Sequence, residues 1–390
     1  MMQGSLQDAV IVAYGRSPVA RAGKKGALRT AHPADYGAQV LTAVLKKVPQ
    51  LDPAEIEDLV LGCAKPEHVQ CGNLGRVLAQ RAGLPDSVPG QTITRFCASG
   101  LQSIATAANA IMTGQAEVLV AGGVECMTAI PMGVPEEFRN AWVAANRPGV
   151  YMPMGITAEN VAAQCGVTRN EMEIFAVGSH HKAAKAWTEG LFDKEIVPVD
   201  GVDLDGNPML LTRDETVRPD CNLEALAKLK PCFKEDGLVT AATSSPTSDG
   251  AAFVVMMSAG KAKSLGITPI ARFRAFAAAG LPGEIMGLGP TKAVPKVLRL
   301  TGLTMNDMDV IEINEAFAAQ AIPCIRELDM DMTKVNPRGG AIALGHPLGA
   351  TGSILACKAL SYLQDTKGRF ALITMCIGGG MGAAGILEML

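Results

Sequence analysis

The strongest constraint on the fold is a pattern that occurs twice, far apart in the chain. In residues 94–114, TRFCASGLQSIATAANAIMTG, a tight loop leads into an alanine-rich helix, and residues 116–125, AEVLVAGGVE, form a predicted buried strand that ends in glycines. Residues 345–364, GHPLGATGSILACKALSYLQ, and 370–380, FALITMCIGGG, repeat that order. Two such halves predict an α/β protein built as a layered sandwich. The alternation of strands and helices favours mainly parallel sheets covered by helices.

The length of the chain and its internal echo indicate three parts. A chain of 390 residues is longer than one ordinary core requires. We expect an N-terminal half at residues 1–128, completed by about 250–269, and a C-terminal half at residues 270–390. Residues 129–249 are richer in proline, charge and turns, and we expect them to form a loop domain that covers the functional site.

Composition and charge exclude several classes of protein. Hydrophobic residues make up 48% and charged residues 19% of the chain, and the formal net charge is −3 without a basic patch. We therefore expect a globular protein and no nucleic-acid partner. Residues 370–387 carry no charge, but the run GGGMGAAG at 378–385 interrupts them. This favours a strand, a turn and a second strand over a membrane span.

The ten cysteines indicate free thiols in a reducing compartment. The sequence has no CxxC pair, no cluster with zinc spacing and no secretory signal pattern at its start. We expect a cytoplasmic protein without a metal site. Most of the cysteines are interpreted as small structural residues, namely Cys63, Cys71, Cys126, Cys165, Cys221, Cys232, Cys324 and Cys357.

Cys97 is the first candidate for chemistry, because it lies where a strand meets a helix. A thiol at a helix N-terminus feels the positive end of the dipole, and we expect its pKa to be lowered. A buried structural cysteine is the alternative interpretation. Ser99 and Gly100 immediately downstream allow another backbone or a substrate to approach closely, which favours the nucleophile.

Three further residues lie in similar settings. His346 stands between Gly345 and Pro347, where an imidazole can accept a thiol proton and then donate to an oxyanion. Cys376 precedes four glycines within six residues, whose N–H groups suit an oxyanion hole. Asn314 is interpreted first as the N-cap of the helix that follows it. One thiol that attacks carbon and a second that moves a proton suit acyl transfer combined with carbon–carbon bond chemistry.

Together, these segments resemble the thiolase family, and most closely its degradative 3-ketoacyl-CoA thiolases. The resemblance runs from AVIVAYGRSP at residue 9 to the end of the chain. It rests on the ordered motifs TRFCASGLQSIA, AGGVECM, PMGITAENVA, SSPTSDGAA, IMGLGP, INEAFAAQ, NPRGGAIALGHPLGATG and MCIGGGMGAA. It implies a five-layered αβαβα sandwich made of two similar halves, with an inserted loop domain.

The resemblance also implies the roles of the candidate residues. Cys97 would be the acylated nucleophile, and Cys376 would move a proton on or off the acetyl α-carbon. His346 would activate Cys97 and, with a water held by Asn314, form one oxyanion hole. The backbone N–H groups of Cys97 and Gly378 would form the second.

The same resemblance implies the binding of coenzyme A (CoA) as a substrate, with no tightly bound cofactor. Arg218 and Ser245 match CoA-contacting positions, and Met154, Met286 and Phe317 would lie near the acyl group. The partners implied are acyl-CoA, CoA and further copies of the chain in a homodimer or homotetramer. Association with other β-oxidation enzymes is a further expectation.

The implied reaction is the CoA-dependent cleavage of 3-ketoacyl-CoA to acetyl-CoA and a shortened acyl-CoA. A biosynthetic enzyme that condenses two acetyl-CoA molecules is the alternative, and a silent acyl-CoA or lipid carrier is a remote one. Pro153 stands where short-chain biosynthetic thiolases typically have histidine, which favours the degradative branch. Ala225 replaces the serine by which the family usually contacts CoA, so that contact is not expected here.

Overall fold

The computed structural model describes residues 6–390. Its strands are β1 Ala9–Arg16, β2 Ala20–Arg21, β3 Asp58–Gly62, β4 Gly90–Ile93, β5 Val118–Cys126, β6 Val199–Val202, β7 Pro208–Leu211, β8 Ser248–Ser258, β9 Ala271–Gly280, β10 Val310–Ile313, β11 Phe370–Ile377 and β12 Met381–Met389. Its α-helices are α1 Pro33–Leu45, α2 Leu74–Arg81, α3 Ser99–Met112, α4 Ala141–Asn146, α5 Met154–Cys165, α6 Arg169–Thr188, α7 Leu223–Ala227, α8 Ala259–Ser264, α9 Gly289–Thr301, α10 Ala318–Glu327, α11 Ala341–Leu344 and α12 Leu348–Thr366.

The strands form a mixed sheet, and the prediction of mainly parallel sheets is wrong. Its order is β10-β11-β12-β9-β1-β8-β5-β3-β4, with β2 paired to β8. Only the pairs at the two ends, β10–β11, β3–β5 and β3–β4, are parallel. The middle is antiparallel because β8 returns from the inserted segment beside β5, and β12 returns from β11 through a glycine turn.

The two halves meet where β1 pairs with β9. This junction consists of two register pairs, Val10 with Arg272 and Ile11 with Ala271. β1 is the first strand of the N-terminal half, and β9 is the first strand of the C-terminal half. Their pairing joins the strands of both halves edge to edge.

Helices α3 and α12 lie between the two halves. Leu101 and Ile104 of α3 share one buried core with Ile354 of α12, and this core includes Ala121 of β5 and Ile373 of β11. On the outer faces, α1 packs over the strands of the first half and α9 and α10 pack over those of the second. The five-layered arrangement predicted from the sequence is thereby confirmed.

The two central helices cross at backbone contact. A Cβ added to Gly100 of α3 would lie 2.6 Å from the Ser353 Oγ and 2.8 Å from the Gly349 carbonyl oxygen. A Cβ added to Gly352 of α12 would lie 2.3 Å from the Leu101 nitrogen. Side chains at these positions would force the helices apart, so the glycines allow the loops preceding α3 and α12 to approach each other.

The segment between β5 and β8 carries α4 to α7 and the β6–β7 hairpin. Its helices α5 and α6 pack on α10 and α11 of the second half. Fully buried Arg16 of β1 anchors it to the first half through Glu195 and Asp214, each at 2.7 Å. The segment therefore packs against both halves, whereas its exact bounds as a domain remain a prediction.

No helix within residues 6–390 combines the length and the apolar character that crossing a membrane requires.

Candidate active site

Cys97 lies in a strained turn at the entrance to α3. The turn is a short 3₁₀ segment, Phe96–Ala98, directly before Ser99. Phe96 has a φ of +45°, a left-handed conformation that a bulky residue rarely adopts. Strain of this kind concentrates at functional sites, where the surrounding structure enforces it. Here it places the Cys97 side chain, which is 7% exposed, at the N-terminus of α3.

Burial and backbone donors act in opposite directions on the Cys97 thiol. Burial raises its pKa to about 11, while the N–H groups of Gly378 and of Cys97 itself lower it by hydrogen bonding to the sulfur. The prediction of a lowered pKa is therefore wrong, because desolvation by burial outweighs the backbone donors. Two N–H groups aimed at one sulfur nevertheless form the donor pair that an acyl oxyanion requires.

Cys376 lies deeper, near the end of β11. Its side chain is fully buried and packs with Met286 and Ala316, and Met154 and Phe317 pack against the same cluster. Burial raises the pKa of Cys376 well above the usual range of a thiol, and the charge of a Cys97 thiolate raises it further. This thiol is therefore protonated and suited to give a proton, and the two sulfurs are close enough to influence each other.

Gly378 adjoins both cysteines. Its N–H donates to the Cys97 sulfur, and it follows Cys376 by two residues in the chain. A Cβ at Gly378 would lie 3.4 Å from the Met154 Sδ, and a Cβ at Gly379 would lie 3.9 Å from the Phe96 ring. The glycine turn after β11 therefore runs directly beside the Cys97 turn and the start of α5.

His346 lies on the opposite loop, just before α12. Its Nδ1 is 2.7 Å from the Thr351 Oγ1, and its Nε2 is 3.3 Å from the Asn314 Nδ2. Burial lowers the pKa of this imidazole to about 4, so it is neutral at physiological pH. Leu348, two residues further on, packs against Cys97. The loop that carries this neutral imidazole therefore adjoins Cys97.

Asn314 does not cap the following helix, so the N-cap interpretation is wrong. Helix α10 begins at Ala318, with Phe317 at its N-cap position. Asn314 instead directly follows β10, and its N–H donates to the Thr374 carbonyl oxygen at 2.9 Å. Its Oδ1 is buried, and no residue in the described range 6–390 donates a hydrogen bond to it. The side chain therefore presents a free acceptor beside His346.

Two buried carboxylates, whose roles the sequence did not reveal, hold the loops of the site. Glu125 accepts from the Ala64 N–H at 2.7 Å and from the Gly349 N–H at 2.8 Å, which joins β5 to the start of α12. Glu315 accepts from Ser179 at 2.6 Å and from Asn336 at 2.8 Å, which joins the end of β10 to α6 and to the loop before α11. Glycines near these residues indicate a close approach of the backbone, but they do not identify the partners, which are far apart in the chain.

The residues predicted to lie near the acyl group or to contact CoA divide into two groups in the structure. Met154, Met286 and Phe317 adjoin Cys376, as described above, and Ser245 lies nearby because its N–H donates to the Ala316 carbonyl oxygen at 2.9 Å. Arg218 is exposed on the inserted segment, where its N–H donates to the His180 Nδ1 at 3.2 Å. The structure brings the first group to the surroundings of Cys376, whereas Arg218 lies beside α6.

The described residues include all ten cysteines, and each is a free thiol. Cys63, Cys126, Cys324 and Cys357 are buried, as a structural role requires, whereas Cys71 and Cys232 are exposed. Cys324 donates to the Gly287 carbonyl oxygen at 3.3 Å.

A buried thiol beside backbone donors, a neutral imidazole and a second thiol form a site for thiol-dependent acyl transfer. Comparison with known proteins gives the family. Residues 9–260 match the family model described as "Thiolase, N-terminal domain", and residues 267–389 match "Thiolase, C-terminal domain". The chain belongs to the thiolase family, and the predictions of this family and of an acyltransferase are confirmed.

Individual relatives align over nearly the whole chain. A 3-ketoacyl-CoA thiolase of Bacillus subtilis (strain 168) is 47% identical over 98% of this chain and 100% of the relative. A 3-ketoacyl-CoA thiolase of Saccharophagus degradans is 44% identical over 98% of both. Among solved structures, the acetyl-CoA acetyltransferase of Bacillus anthracis superposes with a TM-score of 0.91 at 37% identity, covering 99% of this chain and 100% of that one.

Proposed function

We propose that the protein is a 3-ketoacyl-CoA thiolase, which cleaves 3-ketoacyl-CoA with CoA through an acyl group on Cys97. The observation that carries the proposal is the pairing of two unlike thiols across Gly378. Cys97 has backbone donors and slight exposure, whereas Cys376 is sealed among apolar side chains. A hydrolase or a carrier has no use for the second thiol, whereas cleavage next to a carbonyl needs a proton donor for the departing carbon.

The first half of the reaction forms the acyl-enzyme. The Cys97 proton passes to the His346 Nε2, and the sulfur attacks the 3-keto carbon. The bond between the α-carbon and the 3-keto carbon breaks, and its electron pair moves into an enolate of acetyl-CoA. His346 and a water held by Asn314 stabilise the enolate oxygen, and Cys376 gives its proton to the carbon.

The second half returns both protons. The Cys376 thiolate takes the proton of a new CoA thiol, and the CoA sulfur attacks the acyl carbon on Cys97. The tetrahedral oxyanion is held by the N–H groups of Cys97 and Gly378. The Cys97 sulfur leaves and recovers its proton from His346. Free enzyme, acetyl-CoA and a shortened acyl-CoA result, and the same steps in reverse form a carbon–carbon bond.

The degradative direction is the better supported of the two thiolase functions. Relatives named 3-ketoacyl-CoA thiolase are 41–47% identical to this chain, whereas the solved acetyl-CoA acetyltransferase is 37% identical. Pro153 at the start of α5 is the matching local feature. Acceptance of acyl chains longer than acetoacetyl is part of this proposal.

We further propose that residues 129–249 act as the domain that binds CoA. Ser245, beside the thiols, would contact the inner part of CoA, and exposed Arg218 would meet its phosphates. A homodimer or homotetramer in the cytoplasm, associated with other β-oxidation enzymes, belongs to the same proposal.

A series of 3-ketoacyl-CoA substrates of increasing chain length tests the function. Thiolysis is followed by loss of absorbance of the magnesium–enolate complex, and condensation of acetyl-CoA is measured with the same preparation. We expect kcat/KM for thiolysis to hold or rise beyond the four-carbon substrate. A sharp maximum at acetoacetyl-CoA would favour the biosynthetic alternative, and absence of both activities would overturn the proposal.

A further inference from the structure

Both nitrogens of the His346 ring have an identified neighbour, and the two neighbours are chemically different. Nδ1 faces a hydroxyl, the Thr351 Oγ1, at 2.7 Å. Nε2 faces an amide nitrogen, the Asn314 Nδ2, at 3.3 Å. All three side chains are buried, with exposures of 5% for the histidine, 2% for the threonine and 0% for the asparagine.

These two contacts together distinguish the tautomers of the neutral ring. An amide nitrogen carries only hydrogens, so Nε2 must present its lone pair to Asn314. The ring proton then lies on Nδ1, where the threonine oxygen can accept it. The opposite tautomer would set two N–H groups against each other at Nε2, unless the amide turned to present Oδ1.

We infer that neutral His346 carries its proton on Nδ1 and that Thr351 is the positioning residue that holds it there. This inference rests on the proposed function for its consequence. With Nδ1 protonated, Nε2 carries the lone pair, which accepts from the Asn314 amide in the resting site and takes the proton of Cys97 when the reaction begins. The resulting imidazolium donates from Nδ1 to Thr351 and from Nε2 toward the substrate oxygen. No proton leaves the cycle, because the imidazolium returns it to Cys97.

The position of Thr351 in the chain makes the contact durable. It lies in the first turn of α12, five residues after His346. The neighbouring Gly352 packs on the backbone of α3, so this turn cannot move independently of the helix that Cys97 precedes. The hydroxyl therefore supports the imidazole from the rigid central layer of the protein.

Nitrogen NMR of protein labelled with ¹⁵N-histidine tests the tautomer directly and needs no substrate. The His346 signals are identified by their loss in His346→Gln. We expect a protonated Nδ1 and an unprotonated Nε2 in the wild type. In Thr351→Val, Nδ1 loses its acceptor and the Asn314 amide can turn to present Oδ1, so we expect a larger share of the tautomer protonated on Nε2. A protonated Nε2 in the wild type, or the same shares of the two tautomers in both proteins, overturns the inference.

Kinetics of the same variants supply the functional readout. Thr351→Val should lower kcat about 10- to 100-fold with KM for CoA unchanged, as expected for loss of a group that orients another. Thr351→Ser should restore most of the rate, since it returns the hydroxyl.

Thr291→Val is the matched control, because Thr291 is also buried and helical and donates to the Leu288 carbonyl oxygen at 2.9 Å. Its kcat should stay near that of the wild type. A Thr351→Val rate equal to this control, or failure of serine to restore activity in a folded protein, overturns the inference. Loss of thiolysis in the wild type would contradict the proposed function and leave the NMR result to decide the tautomer.

Discussion

The two halves of the molecule each place a cysteine at a glycine-rich corner, yet they treat the thiol differently. Cys97 is 7% exposed and receives two backbone N–H groups, and its pKa rises to about 11. Cys376 is fully buried among Met286, Ala316 and neighbouring apolar side chains, and its pKa rises further. This difference suits the proposed roles of Cys97 as nucleophile and Cys376 as proton donor, because two backbone N–H groups oppose the effect of burial at Cys97, whereas only its own N–H does so at Cys376.

Replacing Cys97, the proposed nucleophile, should give the largest effect. Cys97→Ala should lower thiolysis by about 10⁴-fold or more while CoA still binds, because no acyl-enzyme can form. Turnover and the mass of the protein after incubation with acyl-CoA measure this. Cys71→Ala, at an exposed thiol, is the control and should remain active. Appreciable thiolysis by Cys97→Ala would remove the nucleophile assignment.

Replacing Cys376, the proposed proton donor, should give the next largest effect. Cys376→Ala should lower thiolysis about 10²–10⁴-fold, the usual contribution of acid–base catalysis, yet still permit some acylation of Cys97. Exchange of the acetyl-CoA methyl hydrogens with deuterated water should be lost. Cys357→Ala, at another fully buried thiol, separates this result from the loss of packing. Unimpaired exchange in Cys376→Ala would refute the role.

Replacing the Asn314 amide should lower the rate less than replacing either thiol. Asn314→Ala removes the group proposed to hold a water for the enolate oxygen, and kcat should fall about 10²–10³-fold with the fold intact. Steady-state kinetics and thermal unfolding measure the two quantities. A variant with normal turnover would show that the amide has no part in the reaction.

The pH dependence of Cys97 alkylation should show the smallest effect. In His346→Gln only the thiolate reacts, and with a pKa of about 11 its rate should rise about tenfold per pH unit between pH 6 and 9. The wild-type imidazole, with a pKa lowered to about 4, is neutral across that range and can accept the thiol proton, so the wild-type slope should be shallower. Mass spectrometry of the peptide containing Cys97 measures both slopes. Equal slopes would contradict a base at this position.

Local pattern was sufficient to predict the two halves and the residues at their corners. The loop, helix and strand order around Cys97 and His346 is a short-range signal, and the structure reproduces it in α3, β5, α12 and β11. The strand directions were not predictable in the same way. β8 and β12 pair as they do because of where the chain returns after the inserted segment and the glycine turn.

The errors within the site come from competing physical effects. The helix terminus at Cys97 suggested a lowered pKa, but the degree of burial was invisible in the sequence and it dominates. The position of Asn314 before an alanine-rich stretch suggested a cap, yet the helix starts only at Ala318. Glu125 was missed because its partner Gly349 lies 224 residues further along the chain.

The backbone contact between Gly100 and α12 limits where new substrate preferences can arise. Any side chain added at that crossing would wedge apart the supports of Cys97 and His346 together, so mutation there would harm every substrate alike. Selectivity can be altered instead on the inserted segment, where Met154 meets the glycine turn through side-chain atoms alone. The central helices would then serve all substrates in the same way, and changes in the inserted segment would adapt the same chemistry to acyl groups of different lengths.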